Sequence, residues 1–381
     1  KKAHPQESGR CGGSTSSRDE RLRWSLRVWE AFQALELLVV VDVAMTETAR
    51  LAHYVLPAAT QFEKVEATFF NLEFPHNTFQ LRHPLLEPEP GTLPEPEIWA
   101  RLVRALGVVD DADLQPLRDA AAQGRDAYLQ AFFAVLANPA LGPLAPYILY
   151  ETLGPTLPKG LEGAAALWGL AQKAMMTYPQ AVARAGHSDG NALFDAILNS
   201  PSGVTFTVHE YEDDFALITH ADHKIALAIP EMLDEIRGLA SRPAQLTTPE
   251  FPIVLSAGER RAYTANDILR NPSWRKRDQQ GALRISQEDA QQLGIADGDR
   301  VRISTAAGSA EATVEISDMM QAGHASLPNG FGLDYTDESG ETHVPGVAPN
   351  VLTSSAWRDE YAGTPWHKHV PARLDTLTAA L

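Results

Sequence analysis

Hydrophobic and polar positions first form a compact pattern between residues 37 and 57. LLVVVD at 37–42 is a continuous branched apolar run that ends on an acid, typical of a strand covered on both faces of a parallel sheet. TETARLA at 46–52 predicts a short helix with Thr46 as its N-cap, and HYVLP at 53–57 predicts a second strand. Strand, helix and strand within so short a stretch predict a parallel βαβ unit.

The spacing of apolar residues changes after a proline-rich connector at 83–97. Residues 96–246 mostly repeat apolar positions with the 3.6-residue period of helices, and AAAQGRDAYLQAFFAVLAN is one such helical run. Two segments differ, because GVTFTVHEYEDDF at 203–215 and KIALAIP at 224–230 are typical of strands. We therefore predict a helical region that carries a small hairpin, with EYEDD at 210–214 as a solvated acidic turn.

A third pattern begins near residue 247, where short alternating strands replace helices. LRIS at 283–286 predicts a strand that leads into a short helix, QEDAQQLG, with Ser286 as the N-cap. IADGDRVRIST at 295–305 places an Asp-Gly turn before an alternating strand. Several short strands with a single helix favour a closed β-barrel.

These patterns divide the chain into four segments. We expect a disordered or fragment leader at 1–24, since it is polar, rich in Gly and Ser, and begins with Lys. Part of an α/β domain with a parallel sheet follows at 25–95, then the mainly helical insert at 96–246 and the barrel at 247–381. The predicted fold class is α/β, with the barrel as a separate domain.

Composition narrows the classes of function. The 381 residues carry a formal net charge of −17, which argues against a nucleic-acid partner because phosphate neutralisation requires excess Lys and Arg. No apolar run is long enough for a membrane span, and the single cysteine, Cys11, excludes an internal disulfide and a cysteine-held iron–sulfur cluster within this chain. One cysteine also suggests a reducing compartment, so we expect a cytoplasmic protein.

Candidate chemistry lies just after the predicted strands of the barrel. In LSAGERRAYTAN, Gly258 allows close approach of the backbone to a ligand, and Arg260 and Arg261 offer planar forks suited to a diphosphate. Asn266 adds an amide that can pair with a base edge. A surface turn often has the same composition, so these residues alone leave both interpretations open. Further polar residues that follow late strands are Asn329, Asn350, Thr353 and Lys368.

Asp42 has two interpretations on its own. Its carboxylate can accept hydrogen bonds from a ribose hydroxyl or purine amine at the end of a parallel strand, or it can close the strand-to-helix turn with Thr46 or a backbone amide. Two histidine groups, HADHK at 220–224 and HKH at 367–369, lack a cysteine, and we expect no metal site there. No Walker loop, GxSxG, HExxH or GxGxxG is present in the chain.

Together the segments resemble the molybdopterin-dependent oxidoreductases of the dimethyl-sulfoxide-reductase family. VVVDVAMTETARLAHYVLPAATQFEK at 39–64 is similar to a family segment in which a strand ending in Asp precedes a Thr-Glu-Thr-Ala helix and a strand ending in Leu-Pro. VLSAGERR, LRISQEDAQQLGIADGDRVRIST, NVLTSS and GTPWHKH resemble, in order, the C-terminal double-psi β-barrel that caps the molybdopterin guanine dinucleotides.

The resemblance implies a cofactor, molybdopterin guanine dinucleotide with molybdenum or tungsten, and an iron–sulfur cluster only if an upstream segment exists. It implies that Asp42 faces the guanosine of one dinucleotide, with Thr46 nearby. The barrel positions that match cofactor-contacting positions are Gly258, Glu259, Arg260, Asn266, Asn329, Asn350 and Lys368.

The chain also departs from the family pattern. Neither the four-cysteine iron–sulfur motif nor a ligand to the metal is identifiable, and residues 63–68 read EKVEAT where the family often has Glu-x-x-Gly-Thr. We therefore expect the C-terminal half of a larger enzyme that acts on a small molecule, formate being the first candidate, together with a missing N-terminal half or partner subunit. No catalytic residue is assigned, although His53 and His76 flank the family-like segment. The alternatives are a non-catalytic pterin-binding fragment or split subunit, and a nucleotide-binding protein that uses the barrel as a generic module.

Overall fold

The computed structural model describes residues 29–68, 73–242, 247–259, 261, 269–275 and 278–377. The chain forms two compact units, one of residues 37–230 and one that contains the C-terminal part from residue 231 onward. Cys11, Arg260 and Asn266 lie outside the described residues. None of the helices in the described ranges is both long enough and apolar enough to cross a membrane.

The first unit begins with the two predicted strands, but the helix predicted at 46–52 is only a three-residue 3₁₀ turn that begins after Thr48. β1 (Val39–Asp42) pairs in parallel with β2 (Tyr54–Pro57), and a 3₁₀ turn (Ala49–Leu51) lies between them. The Thr46 hydroxyl accepts a hydrogen bond from the backbone N–H of Ala49 at 3.2 Å, as expected for a residue at a helix start. The short apolar runs therefore form the predicted parallel pair.

A second sheet of this unit is antiparallel, with strand order β3, β4, β5. Its strands are β3 (Glu66–Thr68), β4 (His76–Arg82) and β5 (Val204–Val208). The predicted hairpin between β5 and KIALAIP is wrong, because β5 pairs with β4 and residues 223–229 form no strand. Ile225 and Leu227 are 61% and 89% exposed, so this apolar alternation lacks the partner strand that would cover it.

Helices form most of the remainder of the first unit. They are α1 (Glu95–Leu106), α2 (Asp111–Gln123), α3 (Arg125–Leu136), α4 (Ala145–Thr152), α5 (Ala165–Thr177), α6 (Pro179–Arg184), α7 (Gly190–Asn199) and α8 (Tyr211–Ala216). Their core centres on Trp168, Tyr128 and Phe132, whose rings pack edge-to-face or stacked at 5.1–5.7 Å between centroids.

Two local predictions in the helical region need correction. The run AAAQGRDAYLQAFFAVLAN is divided between α2 and α3, because Gly124 has φ of 119° and ends the first helix. EYEDD is helical rather than a turn, since it lies largely within α8. Glu212, Asp213 and Asp214 occupy the first turn of α8, where the helix dipole favours acidic side chains.

The second unit begins with α9 (Pro230–Gly238) and contains the predicted closed β-barrel. The strands close in the order β10, β6, β13, β8, β9, β7. Along the chain these are β6 (Ile253–Glu259), β7 (Leu283–Ile285), β8 (Arg300–Thr305), β9 (Ser309–Ile316), β10 (His324–Pro328) and β13 (Val370–Thr376). A short hairpin, β11 (Tyr335–Thr336) and β12 (Thr342–His343), lies between β10 and β13.

Buried and more exposed residues alternate along β6, β7, β8 and β9, whereas β10 and β13 have runs of buried residues. Leu255, Leu283, Val301 and Ile303 are fully buried, and their sequence neighbours on the same strands are more exposed. Between β7 and β8, α10 (Gln287–Leu293) has the predicted N-cap, since the Ser286 hydroxyl accepts from the backbone N–H of Asp289 at 3.0 Å.

Candidate functional site

Strands β6 and β10 are parallel neighbours, so their carboxyl ends meet at one edge of the barrel. Gly258 and Glu259 end β6, and Asn329 directly follows β10. The backbone N–H of Asn329 donates to the carbonyl oxygen of Glu259 at 2.9 Å. The structure thus brings three of the sequence-predicted residues together at what we call the barrel edge, defined by Gly258, Glu259 and Asn329.

His367 also lies at the barrel edge. Gly258 has φ of 96°, and a Cβ built on it would lie 3.3 Å from Cδ2 of His367. The carbonyl oxygen of His367 accepts from the backbone N–H of Ala257 at 2.8 Å, which fixes the segment that continues into Lys368. Sequence reasoning considered His367 only as a possible metal ligand. The resemblance did single out its neighbour Lys368, and that residue was the sequence signal that could have identified His367.

The barrel edge presents side-chain donors to solvent. The Oδ1 atom of Asn329 accepts from the backbone N–H of Gly330 at 2.8 Å, which orients its amide group. Asn329, Asn350 and Lys368 are exposed, and their side-chain N–H groups bond to no other residue within the described ranges. They are therefore available to a ligand.

Phe331 anchors the loop that carries Asn329. The ring is 4% exposed, and the guanidinium carbon of Arg275 lies 4.1 Å from its centroid. A Cβ on Gly281 or Gly346 would come within 2.7–2.8 Å of the ring, so both glycines are required for its close packing. Since Phe331 is two residues from Asn329, its packing holds the loop in place.

Arg275 is unusually buried for a charged residue. Its terminal nitrogens donate to the carbonyl oxygens of Gln279, at 3.2 Å, and Leu269, while its Nε is buried without a hydrogen-bond partner. Burial lowers the pKa of Arg275 below its ordinary value, and Asp278 partly opposes this. The Phe331 ring thus compensates an arginine that water does not reach.

The loops that carry Asn329 and Asn350 touch each other. The backbone N–H of Gly332 donates to the carbonyl oxygen of Pro345 at 2.8 Å, and a Cβ on Gly332 would overlap the backbone of Ala348. Asn350 lies in a 3₁₀ turn, Pro349–Leu352, that begins directly after Ala348. These contacts place Asn350 on the same side of the barrel as Asn329.

Glu259 belongs to an ion-pair network. Its carboxylate accepts from the Ser326 hydroxyl at 2.6 Å, from Nε of Arg261 at 3.0 Å and from Arg284 at 3.4 Å. Burial alone would raise the pKa of Glu259, but the bonds from Ser326 and Arg261 lower it below the ordinary value. Glu259 is therefore an ionised, largely satisfied carboxylate at neutral pH.

The structure does not support Arg261 as a diphosphate ligand. Its guanidinium also donates to Asp278 at 2.6 Å and to the carbonyl oxygen of Ala282 at 3.0 Å, and its side chain is almost completely buried. The fork that appeared free in the sequence is thus committed within the barrel unit.

Asp42 and Thr46 belong to the other unit. One oxygen of Asp42, Oδ1, accepts from the backbone N–H of Ala44 at 3.2 Å, so this side chain does close the turn after β1. His53, also near this segment, accepts from the backbone N–H of Leu38 through Nδ1 at 3.0 Å. His76 is an exposed residue at the start of β4. Both histidines belong to the first unit.

The hairpin of β11 and β12 carries a second polar cluster that the sequence did not single out. Asp337, Glu341 and His343 each place a ligand-type atom within 4.8 Å of the others. Asp337 accepts from Ser339 and, at 2.8 Å, from Nε2 of His343. The bonds from Ser339 and His343 lower the pKa of Asp337, and the bond to Asp337 raises the pKa of His343.

Comparison with known proteins gives two family matches. Residues 23–104 match the model described as "Molybdopterin oxidoreductase", and residues 253–371 match the one described as "Molydopterin dinucleotide binding domain". Together these segments make up slightly more than half of the chain. Both family-like regions proposed from the sequence are thus matched.

Individual relatives align over part of their length. The "Probable oxidoreductase YyaE" of Bacillus subtilis (strain 168) is 35% identical over 81 residues, which are 21% of this chain and 12% of that protein. Among solved structures, acetylene hydratase from Pelobacter acetylenicus is similar with a TM-score of 0.48 and 16% identity, covering 92% of this chain and 42% of that one. The chain therefore spans less than half of the length of either protein.

Proposed function

Because the chain belongs to the molybdopterin oxidoreductase family, we propose that its barrel edge holds the guanosine diphosphate portion of a molybdopterin guanine dinucleotide. Residues 253–371 match the model described as "Molydopterin dinucleotide binding domain", and the resemblance implies that the dinucleotide carries molybdenum or tungsten. The observation that carries the proposal is that Gly258 and Asn329 lie together at the ends of parallel strands β6 and β10, while the side-chain donors of Asn329, Asn350 and Lys368 bond to no other residue in the described ranges.

The donor set fits this ligand chemically. Two amides, Asn329 and Asn350, can pair with the edge of guanine, and the Lys368 ammonium can bind a phosphate oxygen. Gly258 contributes backbone without a Cβ, which permits close approach of a sugar or phosphate. Arg260 and Asn266 remain proposed ligands from the sequence.

Charge at the barrel edge also suits an anionic ligand. The Glu259 carboxylate would repel a diphosphate if it were unpaired, but it forms ion pairs with Arg261 and Arg284. The same two arginines also pair with Asp278 and Glu315, so the positive charge for an anionic ligand would come from Lys368 and from Arg260. We assign Glu259 a positioning role through this network, in addition to the backbone contact that the resemblance implies.

For the first unit, we propose that Asp42 accepts a hydrogen bond from the guanosine of one dinucleotide, with Thr46 nearby. Asp42 uses Oδ1 for the turn, and its Oδ2 accepts no hydrogen bond from a residue in the described part of the chain. An aspartate at the carboxyl end of a parallel strand can therefore close the turn with one oxygen and bind a ligand with the other.

The wider activity is also a proposal. When bound, the pterin–metal centre supplies two-electron chemistry with a small molecule, and this chain would bind the cofactor and shape its surroundings. We propose formate as the first substrate to test, a cytoplasmic location, and a further segment or partner subunit that completes the enzyme.

We also propose that the barrel is of the double-psi type. Its two parallel pairs, β6 with β10 and β7 with β9, support this proposal. We further propose that β1 and β2 belong to a larger parallel sheet.

The test is to purify the chain from a host that makes molybdopterin dinucleotides and to measure oxidised fluorescent pterin and released GMP. We expect both in similar amounts, and we expect the double variant Asn329→Ala, Lys368→Ala to retain at least about tenfold less. Lys159→Ala is the matched control, since Lys159 is an exposed lysine of the helical unit.

The outcomes separate the alternatives. Binding of GDP without any pterin would support the generic nucleotide-binding interpretation and contradict the proposal. Retention that is equal in the double variant and the control would remove the barrel edge as the site.

A further inference from the structure

The helical unit contains a cleft of about 1060 Å³ that the proposed function does not use. Its walls come from the connector at 83–88 and 94–96, from the loop 158–163, and from residues near the ends of α3 and α7. This volume lies at the upper end of the range for small-molecule sites in proteins. We call it the helical-unit cleft.

The walls of the cleft are preformed. Prolines fix much of the backbone, namely Pro84, Pro88, Pro94, Pro96 and Pro158. A Cβ on Gly163 would lie 3.1 Å from Cγ of Pro96, so the loop packs tightly on the connector. Nε2 of His83 bonds to the carbonyl oxygen of Leu198 at 3.0 Å, which ties the connector to α7. A ligand would therefore pay little entropy for ordering these walls.

The cations that line the cleft already have partners. Lys64 pairs with Glu95, and Arg125 pairs with Asp195. Arg125 also lies over the Phe194 ring, 4.9 Å from its centroid. The more exposed Lys159 lies 3.6 Å from Glu87. An anionic ligand would have to compete with these carboxylates for each cation.

A carboxylate without a cation, in contrast, is available. Glu162 is half-buried and makes no side-chain hydrogen bond or ion pair with another residue in the described ranges. Glu63, also in the wall, accepts from the backbone N–H groups of Thr60 at 2.7 Å and Glu89 at 3.1 Å. Those bonds lower the pKa of Glu63, so it adds a second negative charge at neutral pH.

We propose that the helical-unit cleft binds a small organic cation, an amine or guanidinium compound, with Glu162 as its counter-ion. All of the residues that line this cleft belong to the first unit, and the proposal does not rest on the proposed cofactor. Apolar lining from Leu85, Leu161 and Leu198 would cover the carbon skeleton of such a ligand. Partial burial strengthens the attraction between the ligand and Glu162 relative to an exposed ion pair.

The experiment compares two probes of nearly the same shape and opposite charge, phenethylammonium and 3-phenylpropionate, by calorimetric titration of the whole chain. We expect the ammonium to bind at least about tenfold more tightly. Glu162→Gln should lower its affinity by at least about tenfold. The control, Glu338→Gln, removes an exposed glutamate of the other unit and should leave the affinity unchanged.

A charge-reversed variant distinguishes a lost binding site from an unfolded chain. Glu162→Lys should bind 3-phenylpropionate better than phenethylammonium, which a misfolded chain would not do. The proposal is overturned if the propionate binds as well as the ammonium to the unaltered chain, if neither binds up to about 10 mM, or if Glu162→Gln has no effect.

Discussion

Replacing Phe331 by alanine tests the claim that one buried ring holds the barrel edge in place. The ring packs between Gly281 and Gly346 and under the guanidinium of Arg275. Alanine would remove this packing and leave Arg275 buried with less compensation, although its Nε already lacks a partner. We expect both the barrel unit and the retention of pterin dinucleotide to weaken.

The magnitude follows from two contributions. Truncation of a buried Phe to Ala costs about 3–5 kcal/mol, and loss of a desolvated cation–π contact adds about 2 kcal/mol. The sum of about 5–7 kcal/mol is a large part of the stability of a typical domain. Phe331→Leu keeps much of the volume and should cost about 1–2 kcal/mol, so it tests the same contact in a chain that still folds.

The control is Phe62→Ala. Phe62 also lies beneath an arginine, with the guanidinium carbon of Arg82 at 5.5 Å, but its side chain is 48% exposed. An exposed pair of this kind contributes about 1 kcal/mol or less. A comparison of the two variants therefore separates the stability that comes from burial of the ring from the stability that comes from its contact with arginine.

Hydrogen exchange read by mass spectrometry is the suitable assay, because a chain of two units need not unfold in one step and exchange reports each unit separately. Phe331→Ala should accelerate exchange in β6 and β10 by roughly a thousandfold or more and leave α5 unchanged. Equal effects of Phe331→Ala and Phe62→Ala on their own units would refute the reasoning, as would unchanged exchange in β10.

Three further predictions concern other contacts of the barrel unit. Gly346→Ala should lower the free energy of unfolding by about 3 kcal/mol more than Gly340→Ala. Both glycines have positive φ, but only a Cβ on Gly346 would meet backbone, at 2.5 Å from the carbonyl oxygen of Gln280. Equal losses of unfolding free energy in the two variants would contradict this. Arg261→Ala, which breaks the buried ion-pair network, should destabilise the barrel by about 3–5 kcal/mol. Arg373→Ala, which removes an exposed ion pair with Asp375, should destabilise it by about 1 kcal/mol or less. Similar losses in the two variants would show that the buried network stabilises the barrel no more than an exposed ion pair does. NMR titration should give His343 a pKa above 6.5, and the pKa should fall in Asp337→Asn. The stability that His343 contributes is therefore fully present below pH 6.5 and is lost as pH rises through its folded-state pKa. An unchanged pKa of His343 in Asp337→Asn would exclude the ion pair in solution.

Much of the barrel could be predicted because its signals are local. In β8 and β9 alternate residues are buried, which is the alternation visible in the sequence. Ser286 caps α10 through a contact that spans only three residues. The parallel pair β1 and β2 was predictable for the same reason, since a short connection joins two apolar runs.

The errors arose where the deciding partner is distant in sequence. KIALAIP has the alternation of a strand, but a strand requires a neighbour, and β5 pairs with β4 from more than a hundred residues earlier. Arg261 looked available because its sequence neighbours offered no acid beyond Glu259. Another of its partners, Asp278, is 17 residues away and was not connected to it in the sequence.

The same distinction separates two kinds of residue at the barrel edge. Rules about strand ends identify Asn329, which directly follows β10 and is exposed, although they misplace Lys368, which lies two residues before β13 and not after a strand. They miss Phe331, since its role depends on Gly281 and Gly346, which lie 50 residues before it and 15 after it. The two kinds should therefore separate by experiment: the double variant Asn329→Ala, Lys368→Ala should lose cofactor with unchanged hydrogen exchange, whereas Phe331→Leu should lose protection and cofactor together. If both changes lower protection equally, the facing residues also hold the loop, and the division between binding and support at this edge is wrong.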